Sequence, residues 1–205
     1  DELLKMRVKR HSCWHCPISC WGSSRVVYNG AVTEAHQPEY ETAAAFGSMT
    51  LNSSYPSLVR SNELCNRYGV DTISAGGCIA FAIECFEHGL IGLKETGGIR
   101  LAWGDHVAMN AMLEKLCRRE DFGDVLADGV KRAAEYLGAA AEPFAIHCGG
   151  QELPMHDPRY EPGLGVIYKL DATPGRHTQA CQYTVPPGFQ TKRPGYGERR
   201  TEQAG

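Results

Sequence analysis

Residues 57–89 read SLVRSNELCNRYGVDTISAGGCIAFAIECFEHG, and this stretch decides the fold. Leu58, Val59, Leu64 and Cys65 recur at helical spacing, and Gly69 is placed to stop that helix. Asp71 or Thr72 can cap a second helix through Ile79, Phe81, Ile83 and Phe86 to Gly89. Its apolar residues face most sides, so the spacing predicts a buried helix. Further out, a helix starts near Asp105 with Val107, Ala111, Met112 and Leu116 inward. A single amphipathic helix is expected over 122–137, with Leu126, Val130, Ala133, Ala134 and Leu137 on one stripe and Gly138 ending it. Tyr40, Ala43, Ala44 and Gly47 suggest a shorter helix, with Pro38 and Glu39 in its first turn. Val26 to Tyr28 and Ala31 to Thr33 flank Asn29-Gly30, a tight hairpin turn. The expected fold is mainly α, a multihelical domain with a small β-hairpin after a cysteine loop.

From about residue 139 Pro, Gly and His become frequent and helical periodicity fades, so a boundary is expected near residue 145. Residues 1–145 would form one helical domain, and 146–205 the start of a second, incomplete helical domain. The 205 residues are 42% hydrophobic and 22% charged, with a net charge of −3. No block of like charge suggests nucleic acid or an anionic membrane surface. The least polar stretch, 73–86, carries Glu84 and is too short to span a membrane. The first residue is Asp1 and the end is equally abrupt, which suggests a piece of a longer chain. Nine cysteines cannot all pair within one chain. Their scatter fits a reducing cytoplasm with a metal site better than a disulfide scaffold.

Residues 11–22, HSCWHCPISCWG, place Cys13, Cys16 and Cys20 in a CxxCxxxC run. Thiolates bind soft metals, and three within eight residues can converge on one centre. Close cysteines plus a distant one commonly hold iron–sulfur clusters. A structural zinc knot usually takes two separated pairs, and no second CxxC occurs, although His11 and His15 are adjacent zinc candidates. Trp14 and Trp21 flank the triplet, as cluster shields or as ordinary packing. Asp157-Pro158-Arg159 suits either a pocket rim or an Asp–Arg turn staple. His147 and Cys148, before Gly149-Gly150, suit either a cofactor approach or a plain loop.

Several segments in order carry a resemblance. They are SCWHCPISCWG at 12–22, PEYETAAAFGS at 38–48, NELCNRYGVDTIS at 62–74 and AFAIECFEHGL at 80–90. FGDVLADGVKRAAEYLG at 122–138, ELPMHDPR at 152–159 and LGVIYKLDATPGRHT at 164–178 follow. Together they resemble the aldehyde ferredoxin oxidoreductase family, the tungsten-containing pterin enzymes. The resemblance implies the middle helical domain and the opening of the third domain. It implies that Cys13, Cys16 and Cys20 are three ligands of a 4Fe–4S cluster, with the fourth in a DxxGLC motif beyond residue 205. Asn66 to Asp71 is similar to the family's pterin motif DxxGLD, with Asn66 for the first Asp and Val70 for the Leu. Cofactor binding is therefore expected at Asn66, Gly69, Val70 and Asp71, to a tungsten (or molybdenum) bis-pterin. The amide of Asn66 can hydrogen-bond a pterin but offers no carboxylate.

Glu41 and His177 fall where the family has its catalytic carboxylate and imidazole. Their plain alternatives are a solvated first-turn carboxylate and a loop histidine beside Arg176. No ExxH motif occurs, and Arg60 stands where its Glu is sought, so an iron between subunits is not expected. The activity implied is oxidation of an aldehyde to a carboxylic acid, with electrons passing through the cluster to ferredoxin. An alternative within the family is the tungsten subunit of an aryl-CoA reductase. From another class, a zinc-stabilised, non-catalytic helical binding module also fits the cysteine triplet. The resemblance leaves room for a homodimer of the full-length protein.

Overall fold

The structure is a computed structural model and describes residues 5–159 and 162–177. Three antiparallel strands come first: β1 (Arg7–His11), β2 (Trp21–Tyr28) and β3 (Ala31–His36), in that spatial order. The Asn29-Gly30 hairpin forms as expected, with both residues at positive φ and Tyr28 paired to Ala31. The sheet is larger than the sequence suggested. The hairpin runs back to Trp21 and β1 adds a third strand, so the cysteine loop lies inside the sheet as the β1–β2 connection. The lysine and arginines of RVKRH masked a strand that is an exposed edge, where such charges discourage further pairing.

Seven α-helices follow among the described residues. Helix α1 (Tyr40–Ala43) passes directly into a π-helical turn, Ala44–Ser48. Helix α2 (Tyr55–Tyr68) is capped by Ser54 and ended by Gly69 in the left-handed conformation. Helix α3 (Thr72–Glu87) is capped by the Asp71 side chain, which accepts from Ser74 N. It is buried on most sides, with Ile79, Ala82, Ile83 and Cys85 fully enclosed. Helix α4 (His106–Arg118) packs on α2 and is capped by Asp105, which accepts from Val107 N and Ala108 N. Each fully buried Leu, Ile, Met or Phe here contributes roughly 1.5–3 kcal/mol of transfer free energy. The sheet is tied to the helices by polar contacts: Ser24 meets the Tyr55 hydroxyl at 3.0 Å, and the Tyr28 hydroxyl donates to His106 O at 3.0 Å.

The helix expected over 122–137 is two helices, α5 (Phe122–Leu126) and α6 (Val130–Leu137). The break has a tertiary cause. Buried Glu152 accepts from Val130 N at 2.7 Å, capping α6 from a distant segment. Gly129 sits at φ 89°, and a β-carbon there would lie 2.9 Å from Glu152 Oε1. Glu152 belongs to a short hairpin, β4 (His147–Cys148) with β5 (Gln151–Glu152), which packs on α3 and α6. Helix α7 (Pro162–Leu170) closes the described chain. Cys181 and the Pro- and Gly-rich tail lie outside the described residues. No single helix among the described residues is long and apolar enough to cross a membrane. The α2–α3 pair passes by length and composition only when taken together across a 117° bend.

Candidate functional site

Glu41 is the second residue of α1, and it is buried, with 7% of its surface exposed. Gly76 of α3 permits this burial. A β-carbon there would lie 2.6 Å from the Ala45 β-carbon, so only glycine lets α3 come this close to the π turn. Thr42 and Thr72 meet at 2.8 Å and tie α1 to the start of α3. From the far side, Met155 N donates to Glu41 Oε2 at 2.9 Å.

Two imidazoles reach the other carboxylate oxygen. His156 Nε2 is 2.9 Å and His177 Nε2 is 3.5 Å from Glu41 Oε1. Neither is aligned as a hydrogen bond, so the buried Oε1 has no hydrogen-bond partner. The two rings stack with centroids 4.2 Å apart. The Tyr40 hydroxyl lies 2.7 Å from His177 Nε2 and 3.0 Å from His156 Nε2. It has one proton, so it can donate to only one of the two imidazoles. Tyr168 in α7 donates to His156 O at 3.0 Å and holds that segment in place. Burial, then the charge of His156, pushes the His177 pKa below its ordinary value, which keeps the ring neutral near pH 7. Burial, then the charges of Glu41 and Tyr40, pushes Tyr168 up to about 12.

The structure brings Glu41 and His177 together. Tyr40 and His156 join them unforeseen. In the sequence Tyr40 marks a helix face, and His156 stands only inside ELPMHDPR. Their sole sequence signal was a place inside the matching segments.

Asn66, Gly69, Val70 and Asp71 form the joint between α2 and α3. Gly69 is the left-handed cap, and Val70 N donates to Cys65 O at 2.9 Å. Asp71 caps α3 and pairs with Arg176 Nη2 at 2.7 Å. Arg176 also donates to Glu152 O at 2.7 Å, and it immediately precedes His177. The motif is thus connected to the imidazole through one arginine. Asp157 and Arg159 form the turn staple that the sequence allowed. His147 Nδ1 accepts from Gly150 N within the hairpin, and the Cys148 thiol donates to Tyr168 O, tying the hairpin to α7.

The cysteine loop is open. Cys13 and Cys20 are exposed, Cys16 is half-buried, and all three are free thiols. Cys16 N donates to Cys13 O at 3.0 Å, which folds the CxxC into a tight turn. Arg10 donates to Ser19 O at 2.6 Å and Ile18 O at 3.1 Å. Trp21 lies between the rings of His11 and His36, whereas Trp14 is 91% exposed. Three free thiols on one short loop suit three corners of an iron–sulfur cluster. Cys65, Cys78 and Cys85 are buried helix residues whose thiols burial pushes up, Cys85 to about 12, which disfavours the thiolate a metal needs.

A groove of about 430 Å³ joins these regions, lined by Cys20 and Trp21 on one side and by Glu39, Tyr40, Ala43 and Ser48 on the other. A larger groove, about 560 Å³, lies between the hairpin and helices α2 and α4. Charged residues including Arg60, Glu63 and Glu114 line it, and it holds none of the candidate residues.

A family model described as aldehyde ferredoxin oxidoreductase, domains 2 & 3, matches residues 1–203. A tungsten-containing aldehyde ferredoxin oxidoreductase from Pyrococcus horikoshii is 34% identical over 186 residues, covering 89% of this chain and 30% of that protein. The aliphatic sulfonate oxidoreductase, WOR-like subunit, of Pyrococcus furiosus is 30% identical over 175 residues, covering 81% of this chain and 28% of that protein. The chain therefore spans less than a third of the length of these relatives. Among solved structures, the active site complex BamBC of benzoyl coenzyme A reductase with 1,5-dienoyl-CoA shares the fold at a TM-score of 0.64. That match has 24% identity and covers 83% of this chain and 25% of that one.

Proposed function

The chain belongs to the aldehyde ferredoxin oxidoreductase family, and from that membership we propose that it forms part of a cytoplasmic enzyme oxidising an aldehyde to a carboxylic acid. The observation that carries this reading is Glu41 Oε1, a buried carboxylate oxygen with no hydrogen bond, beside two imidazoles. Aldehyde plus water gives acid, two protons and two electrons. When bound, a tungsten (or molybdenum) bis-pterin supplies the two-electron sink. Glu41 Oε1 takes a proton from water, and His156 Nε2, 2.9 Å away, receives it. His177 holds a hydrogen bond to the carbonyl oxygen, and Tyr40 keeps both imidazoles in register. Asn66, Gly69, Val70 and Asp71 hold the pterin edge, with Arg176 linking that joint to His177. Cys13, Cys16 and Cys20 would hold three corners of a 4Fe–4S cluster, which would supply electron transfer toward ferredoxin. The 34% identity to aldehyde enzymes, against 30% to the sulfonate one, favours an aldehyde as substrate.

The test uses the full-length enzyme. Glu41→Gln is expected to lower turnover about 10²–10⁴-fold with iron and tungsten content unchanged. Turnover within a few-fold of wild type would remove Glu41 as the base. Loss of metal would make its role structural.

A further inference from the structure

We propose that Glu41, His156 and His177 form a binding site for a divalent cation of the zinc type, separate from the cysteine loop. One carboxylate oxygen and two imidazole nitrogens lie within 4.8 Å of one another. Two histidines and a carboxylate are a donor set suited to zinc and its first-row neighbours. Tetrahedral ligands at zinc bond lengths stand about 3.3 Å apart. The distances here, 2.9 Å and 3.5 Å from Oε1 to the two nitrogens, bracket that value. Small side-chain shifts therefore suffice to admit an ion.

A second observation is independent of that spacing. Glu41 is 7% exposed, and its Oε1 has no hydrogen bond. An ionised carboxylate oxygen buried in this way is costly unless a cation faces it. At most one of the two imidazoles can carry that charge, because the rings stack at 4.2 Å and two positive charges there would repel. A single divalent ion would face the carboxylate oxygen and take both Nε2 lone pairs, displacing their contacts with the Tyr40 hydroxyl. The outer contacts suit ligands: Met155 N fixes the second carboxylate oxygen and Tyr168 fixes the His156 backbone. On the reading of the preceding section, an ion held here occupies the base and the imidazole that the reaction needs. It therefore acts as a reversible inhibitor.

Binding is measured without turnover, so this proposal and the catalytic one can fail separately. The full-length protein with Cys13, Cys16 and Cys20 replaced by serine is titrated with Co²⁺, followed by Zn²⁺ displacement. One equivalent is expected to give visible d–d absorption without a near-ultraviolet thiolate band, and to be displaced by zinc. His156→Asn, at a partly exposed position, and the isosteric Glu41→Gln should each weaken binding by at least about tenfold. Circular dichroism checks that both variants fold. No binding in the serine background, a thiolate band, or unchanged affinity in both folded variants would overturn the site.

Discussion

The cysteine loop and the Glu41 cluster are both gatherings of metal-loving side chains, and they are built in opposite ways. Cys13, Cys16 and Cys20 come from one exposed turn, steadied by Arg10 contacts to backbone carbonyls. Glu41, His156 and His177 come from three segments, with Tyr40 and His177 separated by 137 positions. Glu41 and His177 are buried. Local spacing suffices for the first region because the loop needs little from the rest of the fold. The second exists only where α3 lies close against the π turn and Met155, His156 and His177 meet Glu41. Damage to the core should therefore dismantle the cluster and spare the loop.

The sharpest break is Gly76→Val. Its β-carbon would overlap Ala45, forcing the π turn and α1 away from α3. A loss of about 1–3 kcal/mol is expected in urea unfolding. Cobalt binding at the cluster should fall while alkylation of Cys13 and Cys20 keeps its native rate. Equal disturbance of both regions would contradict their independence.

A smaller effect is expected from pH. The folded His177 pKa is lowered by burial and by His156, below the ordinary 6.5. Between those two values the unfolded chain takes up a proton that the folded chain refuses. His177's contribution to stability is thus complete above about 6.5 and declines as pH falls through the window. Melting temperature measured against pH should show this decline, and His177→Gln should flatten it. An unchanged slope in that variant would assign the effect to another group.

Arg10→Ala should matter least to stability. Its contacts are exposed, and a loss below about 1 kcal/mol is expected from chemical denaturation. A larger loss would mean that the cysteine loop depends on tertiary support after all.

Much of this molecule was legible because its signals are local. Gly69 and Asp71 mark the joint between α2 and α3 by their own backbone and capping preferences. Asn29-Gly30 demands a tight turn wherever it occurs. The cysteine spacing places three thiols on one loop before anything else folds. The break between α5 and α6 was not legible, since nothing around Ala127 outweighs helical periodicity until Glu152 arrives to cap Val130. Strand β1 was hidden because its residues suit an edge and its partner is fixed only by pairing. His156 and Tyr40 gain meaning only through neighbours 116 positions apart. The amino-acid order by itself determined the helices, their caps, the hairpin turn and the cysteine triplet, because each depends on energies within a few residues. Only the tertiary structure decided where α6 begins, how the sheet is completed and which imidazoles meet Glu41, because those depend on burial and on contacts between distant segments.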